Sequence, residues 1–192
     1  MNISCIILAA GSSSRMTKYK QLLRYKGVTF IKLLTQIASS LDLQSIVCVT
    51  GFLKTEIEKE LSGLDIEFLH NMSHTSGQTS SLKLALNHLI EKTDSALITL
   101  TDQPLIPLSH YQNLRDAARV DPGKLIATQY GDTFGVPAII PSSYFAEFLQ
   151  LQDNTSPKSI LKKNQDDLIL IRCDAAAKDI DTDEDYNQLL AL

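Results

Sequence analysis

The chain contains no tryptophan, and aromatic residues make up only 6% of its 192 positions. A protein that reads single-stranded nucleic acid by stacking bases needs a denser aromatic platform. Positive charge is also short: 18 Lys and Arg stand against 22 Asp and Glu, a net charge of −4. With no basic stripe, a nucleic-acid partner is not expected. No apolar run approaches the roughly 20 residues of a membrane-spanning helix. A positive segment followed by a long apolar one is missing from the N-terminus, so a signal peptide is not expected either. The three cysteines, Cys5, Cys48 and Cys173, are widely separated and each sits in an apolar run. An odd count without a C-x-x-C pair points to reduced, buried thiols and a cytoplasmic protein.

Several chemical signatures are missing as well. A dinucleotide fingerprint counted from Gly11 would need glycine where Ser13 and Met16 stand, and a Walker A loop fails at Met16 too. This excludes a Rossmann dehydrogenase and a P-loop kinase. The alternating acids Asp179, Asp181, Asp183 and Asp185 suggest a calcium loop, but its sixth position is Glu184 instead of Gly and its twelfth is Leu190 instead of Glu. His70 and His74 have metal-binding spacing but no H-E-x-x-H around them, and a surface loop is expected there; His88 and His110 carry no context. No Ser/His/Asp or Cys/His set is visible. Internal repeats, low-complexity tracts and linkers are absent.

What is present is a 44% hydrophobic composition, enough for one domain over residues 1–192. Strand-like and helix-like runs alternate. Strands are expected at Ile3 to Ala9, Ser45 to Thr50, Ile66 to Leu69, Ala96 to Leu100, Lys124 to Thr128, Phe134 to Ile140 and Leu168 to Arg172. Helical stripes run through Phe30, Leu33, Leu34, Ile37 and Leu41, then Leu53 to Leu61, Leu82 to Ile90, Ser109 to Val120, a segment capped by Ser142 or Ser143 and running to about Leu151, and Asp183 to Leu190. Such alternation implies an α/β fold: a mostly parallel mixed sheet with helices on both faces.

Ligands of open α/β sheets bind beyond the carboxyl ends of the strands, where the informative segments lie. The first strand runs into Leu8-Ala9-Ala10-Gly11-Ser12-Ser13-Ser14-Arg15, with Lys20 shortly after. Small residues let backbone N–H groups approach an anion, and Arg15 and Lys20 can neutralise it, which suits a polyphosphate. Asp102 follows an apolar strand in Leu100-Thr101-Asp102-Gln103-Pro104 and can either hold a hard cation or cap its own turn. In Asp179-Ile180-Asp181-Thr182-Asp183-Glu184-Asp185-Tyr186, Thr182 and Asp185 form a capping box. Asp181 precedes the cap and is free to ligate, with Asp179 as its alternative. Ser76 to Leu82 places Gly77, Ser80 and Ser81 at a helix start, where they serve a ligand or simply cap the helix.

The segment from Leu8 to Leu23 resembles the signature L-A-A-G-x-S-x-R-M-G-x-x-K-Q-L-L of the MobA-like nucleotidyltransferases, and within them is most similar to the molybdenum cofactor cytidylyltransferases. The motifs around 102 and 181 extend the resemblance along nearly the whole chain. It implies a single-domain, three-layer Rossmann-like fold of the GT-A type and an enzyme that transfers a nucleotidyl group. It assigns nucleotide binding to Leu8, Ala9, Ala10, Gly11, Ser13, Arg15, Lys20, Gly77, Ser80 and Ser81. Arg15, Lys20 and Asp102 become catalytic, and Asp102 and Asp181 hold Mg²⁺. Gly135, Pro137, Asp153 and Lys158 fall on the acceptor side. Ala10, where guanylyl-transferring relatives more often carry Gly, leans the nucleotide towards CTP. The acceptor it implies is a phosphorylated small molecule, molybdopterin first, with hand-over to a molybdenum hydroxylase apoenzyme. Two departures stand out: Thr17 replaces a Gly, and Gln152 to Lys158 replaces a G-D-x-G-A-R element. A sugar phosphate acceptor, or a non-catalytic nucleotide- or cofactor-binding protein, remains open.

Overall fold

The computed structural model describes residues 1–12, 16–153 and 155–192. Its main sheet has the order β5-β4-β1-β6-β8-β7-β9. The strands are β1 (Ile3–Leu8), β4 (Ser45–Thr50), β5 (Glu67–His70), β6 (Ser95–Leu100), β7 (Leu125–Tyr130), β8 (Thr133–Pro141) and β9 (Leu168–Arg172). Only β8 runs against its neighbours β6 and β7; the other pairings are parallel. Every residue of β1 is buried, as expected for a parallel strand covered on both faces.

Side chains of β1 alternate between two cores. Ile3, Cys5, Ile7 and Ala9 join α1 (Phe30–Ser39), α2 (Lys54–Glu60) and α4 (Leu108–Val120) on one face. Ile6, Leu8 and Ala10 join α3 (Gln78–Leu89), α5 (Phe145–Leu149) and α6 (Lys158–Lys163) on the other. This is the three-layer arrangement the alternation implies. A small hairpin, β2 (Arg24–Tyr25) with β3 (Val28–Thr29), has no counterpart in the sequence reading. Thr29 ends it and caps α1, its Oγ1 accepting from Lys32 N.

A third, smaller core brings the end of the chain back to its beginning. Ile180 and Leu189 pack with Leu23 and Phe30, and Tyr186 Oη donates to Arg24 O at 2.9 Å. Helix α7 (Asp183–Leu190) starts on the expected capping box: Thr182 Oγ1 accepts from Asp185 N, and Asp185 accepts from Thr182 N.

Four expectations need correction. His70 ends β5 instead of lying in a surface loop, and His74 opens a 3-10 turn, His74–Ser76. Neither Ser142 nor Ser143 caps α5; Pro141 leads into a 3-10 turn (Ser142–Tyr144), and the α-helix begins only at Phe145. Cys173 is half-buried, while Cys5 and Cys48 are fully enclosed. Burial pushes the Cys5 thiol up to about 12 and that of Cys48 higher still. His88 and His110 do have partners: Glu67 Oε2 at 2.7 Å and Thr128 Oγ1 at 2.8 Å. Among the described residues no helix is long and apolar enough to cross a membrane.

Candidate functional site

Two adjoining cavities open at the carboxyl ends of β1 and β6. The first, about 320 Å³, is lined by Leu8, Ala10, Gly11 and Ser12 after β1, with Lys20, Gln21 and Asp102 at one end and His74 to Gln78 at the other. The second, about 180 Å³, shares Leu8, Gln78 and Leu100 with it and extends beneath β8 and α6.

The loop after β1 is held in shape by one buried amide. Gln21, 3% exposed, donates from Nε2 to Ala9 O at 3.2 Å and to Gly11 O at 2.7 Å. Behind the loop, Gly51 fits against bare backbone: a Cβ there would stand 2.7 Å from Ala10 O and 2.8 Å from His74 Cβ. Gly77, with φ of +107°, makes the bend that delivers α3 to the cavity wall.

Lys20 lies between two carboxylates. Its Nζ donates to Asp102 Oδ2 at 3.2 Å and to Asp181 Oδ1. Burial alone would depress the ammonium, but the hydrogen bond to Asp181 and the charges of Asp102 and Asp181 outweigh it, so its pKa rises above the ordinary lysine value. Asp181 reaches this position because Ile180 N donates to Asp102 O at 2.8 Å, and because Thr17 N donates to Asp183 Oδ2 at 3.3 Å. Asp181 is therefore engaged by Lys20, where the sequence left it free to ligate. Asp179 points elsewhere and accepts from Gln103 Nε2 at 3.0 Å. Burial raises its carboxyl above the usual range, reinforced by the Asp102 charge.

The site suits a divalent cation on one direct observation. Among the described residues the buried Asp102 Oδ1 has no hydrogen-bond partner, while Oδ2 is occupied by Lys20. Among the described residues no group of three or more His, Cys, Asp or Glu side chains is arranged to hold a metal unaided. A cation at Asp102 would draw its remaining ligands from phosphate oxygens and water, a sharing typical of Mg²⁺.

Leu8, Ala10, Gly11, Lys20, Gly77, Ser81 and Asp102 come together on the first cavity. Ser13 and Arg15 lie outside the described residues. Ala9 does not reach the cavity: it is buried in the opposite core, its N donating to Val49 O. Ser80 turns away, bonded to Asn71 and to the carbonyls of Ser73 and Gly77. Gly135 and Lys158 line the second cavity. Pro137 does not; its carbonyl accepts from Thr128 Oγ1 at 2.6 Å, a bond that secures the bulge in β7–β8. Asp153 also stands off the lining, paired with Lys83 at 3.0 Å. Gln21, Gly51, His74, Gln78 and Gln103 complete the surroundings and escaped the sequence reading. Gln21 and Gln103 stand inside motifs quoted for their neighbours, and Gly51 is a glycine just past a strand.

The MobA-like NTP transferase domain is matched over residues 5–168. The chain belongs to this family. Membership makes it a nucleotidyltransferase-type protein, and the three-layer fold agrees with this MobA-like assignment. It is 35% identical over 123 residues to the bifunctional protein GlmU of Francisella tularensis, which covers 63% of this chain and 26% of that protein. The chain thus spans about a quarter of the length of the curated relatives it matches. A nucleotidyl transferase from Methanothermobacter superposes with a TM-score of 0.86 at 21% identity, over 99% of this chain and 96% of that one. Rv0371c of Mycobacterium tuberculosis, in complex with manganese, does so with 0.84 at 20% identity, over 100% and 99%.

Proposed function

We propose that this MobA-like protein is a Mg²⁺-dependent nucleotidyltransferase that moves CMP from CTP to a phosphorylated acceptor, with molybdopterin cofactor the first candidate. The observation that carries the reading is the Lys20–Asp102–Asp181 cluster, whose Lys20 and Asp102 line the first cavity. The triphosphate occupies the first cavity along Ala10 to Ser12, with Arg15 assigned from its place in the motif. Lys20 balances charge on the phosphates and on the departing pyrophosphate. Asp102 and Asp181 would hold Mg²⁺, which when bound supplies charge neutralisation at the phosphates; manganese bound by Rv0371c supports a divalent cation.

The acceptor lies in the second cavity. A phosphate monoester is largely ionised near neutral pH, since its second pKa is about 6. Its oxygen forms the new bond to the α-phosphorus, the bond to the β-phosphate oxygen breaks, and pyrophosphate leaves. No general base is required. Lys158 lines this cavity and would receive the acceptor's anionic group; its ammonium now donates to Thr133 Oγ1 and lies over the Phe134 ring.

The lining of this cavity mixes apolar side chains with the polar Gln78, Gln103, Tyr130, Ser156 and Asp179, so a ring acceptor has to direct its polar groups to the latter. Leu82, Ile98, Ala138, Ile140 and Phe148 offer no hydrogen bonds to a ring of hydroxyls. Each hydroxyl buried there without a partner would cost about 1–3 kcal/mol.

The test is pyrophosphate release with Mg²⁺ and each of CTP, GTP, ATP and UTP, with and without molybdenum-loaded molybdopterin. Release with CTP only in the presence of the cofactor is expected. Asp102→Ala should abolish that turnover while leaving the circular dichroism spectrum intact. Turnover that survives the substitution would remove Asp102 from the metal site. Release with sugar phosphates and not with molybdopterin would transfer the reading to them.

A further inference from the structure

In the bare protein the proposed cation site already holds a positive charge that belongs to the chain. The Lys20 ammonium bonds to both carboxylates assigned to the metal, Asp102 and Asp181. It is held there firmly: its side chain is only 15% exposed, and it opens a 3-10 turn, Lys20–Leu22, whose next residue, Gln21, is tied to the carbonyls of Ala9 and Gly11. A divalent ion attached through Asp102 Oδ1, which has no partner among the described residues, would sit beside this ammonium. One reaching for Asp102 Oδ2 or Asp181 Oδ1 would have to displace it.

We infer that Lys20 acts as a resident placeholder, which keeps divalent cations off Asp102 and Asp181 until a triphosphate is present to draw its ammonium away. The inference rests on the metal assignment above and adds a regulation of that same site. Its physical basis is charge. Two carboxylates bridged by one ammonium leave little net attraction for a second cation. A single positive charge a few ångströms from a divalent ion lowers its affinity by about tenfold or more, even with generous screening. A bound triphosphate reverses the balance. It gives the lysine another anionic partner and brings oxygens of its own to the cation. Metal and nucleotide then favour each other by equal factors, as linkage requires. An order of events follows: triphosphate binding, release of Lys20 from the carboxylates, and loading of the cation where it is needed. The pair of acids also stays together in the interim, instead of repelling across an empty gap.

The experiment is nucleotide-free Mn²⁺ binding to the intact chain, followed by the electron paramagnetic resonance signal of the free ion. It is run on the wild type, Lys20→Met, Lys20→Arg, Asp102→Asn and the Lys20→Met/Asp102→Asn double variant. Lys20→Met should bind Mn²⁺ about tenfold more tightly than the wild type. Lys20→Arg keeps the charge and should not. Adding Asp102→Asn to Lys20→Met should remove the gain. If Lys20→Met binds no more tightly while Asp102→Asn still weakens binding, the placeholder role is refuted and the metal site stands. If Asp102→Asn changes nothing in either background, the metal assignment falls and the placeholder role falls with it. Should Lys20→Met lose its folded circular dichroism signal, Lys20→Gln carries the same comparison.

Discussion

Replacing Gln21 by leucine preserves the volume of a side chain that is 3% exposed and deletes its amide. Two carbonyls lose their donor, Ala9 O at 3.2 Å and Gly11 O at 2.7 Å. Gly11 is exposed and its oxygen can turn to water, whereas Ala9 is buried. One stranded buried acceptor and one exchanged bond together amount to a loss of about 2–3 kcal/mol. For a chain of this size each kcal/mol shifts Tm by about 2–4 °C, so the expected drop is about 4–12 °C by differential scanning calorimetry. The same two bonds fix the path of the loop that lines the first cavity, so the KM for the nucleoside triphosphate should rise several-fold while the far-UV spectrum is unchanged. A Tm within about one degree of the wild type, together with an unaltered KM, would refute the view that this amide shapes the loop.

Lys20→Ala should depress turnover far more than Lys26→Ala. Lys26 is exposed and sits on the β2–β3 turn over the Tyr25 ring, so equal effects in a pyrophosphate assay would remove Lys20 from the site. Gly51→Ala forces a methyl group onto Ala10 O, which is backbone and cannot swing aside. A loss of about 1–3 kcal/mol in urea unfolding and weaker triphosphate binding are expected. Of the three thiols, only Cys173 is partly exposed, while Cys5 and Cys48 are buried and held protonated. Ellman's reagent should therefore titrate one thiol in the native protein and three in denaturant; rapid reaction of a second would contradict the packing of β1 against β4.

The fold was legible where burial leaves a simple signature. β4 and α7 keep the expected bounds, because a strand covered on both faces reads as one apolar run and a capping box marks a helix start; β9 keeps them too, as a short apolar run at the sheet edge. The hairpin β2–β3 has two residues per strand, too few to establish a period. α6 has six residues and buries only Ile160 and Leu161. At the site, the residue types of Lys20, Asp102 and Asp181 were readable. Their contact was not, because it joins positions 82 and 161 residues apart through the third small core. That Asp153 and Pro137 stand off the second cavity was hidden for a related reason. Asp153 is drawn away by Lys83, and the Pro137 carbonyl is occupied by Thr128; neither partner is adjacent in sequence.

The reversed strand β8 has a consequence for how the molecule can be rebuilt. It returns between β6 and β7, so the outer wall of the second cavity, from Tyr130 through Gly135 and Phe148 to Leu161, comes from one unbroken length of polypeptide. Lys20, Asp102 and Asp181 all lie outside that length. Residues 125–163 thus form one contiguous stretch, joined to the rest along the β6–β8 and β7–β9 seams and by packing of its two faces into the main cores. Exchanging that stretch for a relative's, with the α3 and α4 side chains it packs on matched to it, would change the shape offered to one ligand and leave the lysine and its two acids outside the exchanged residues.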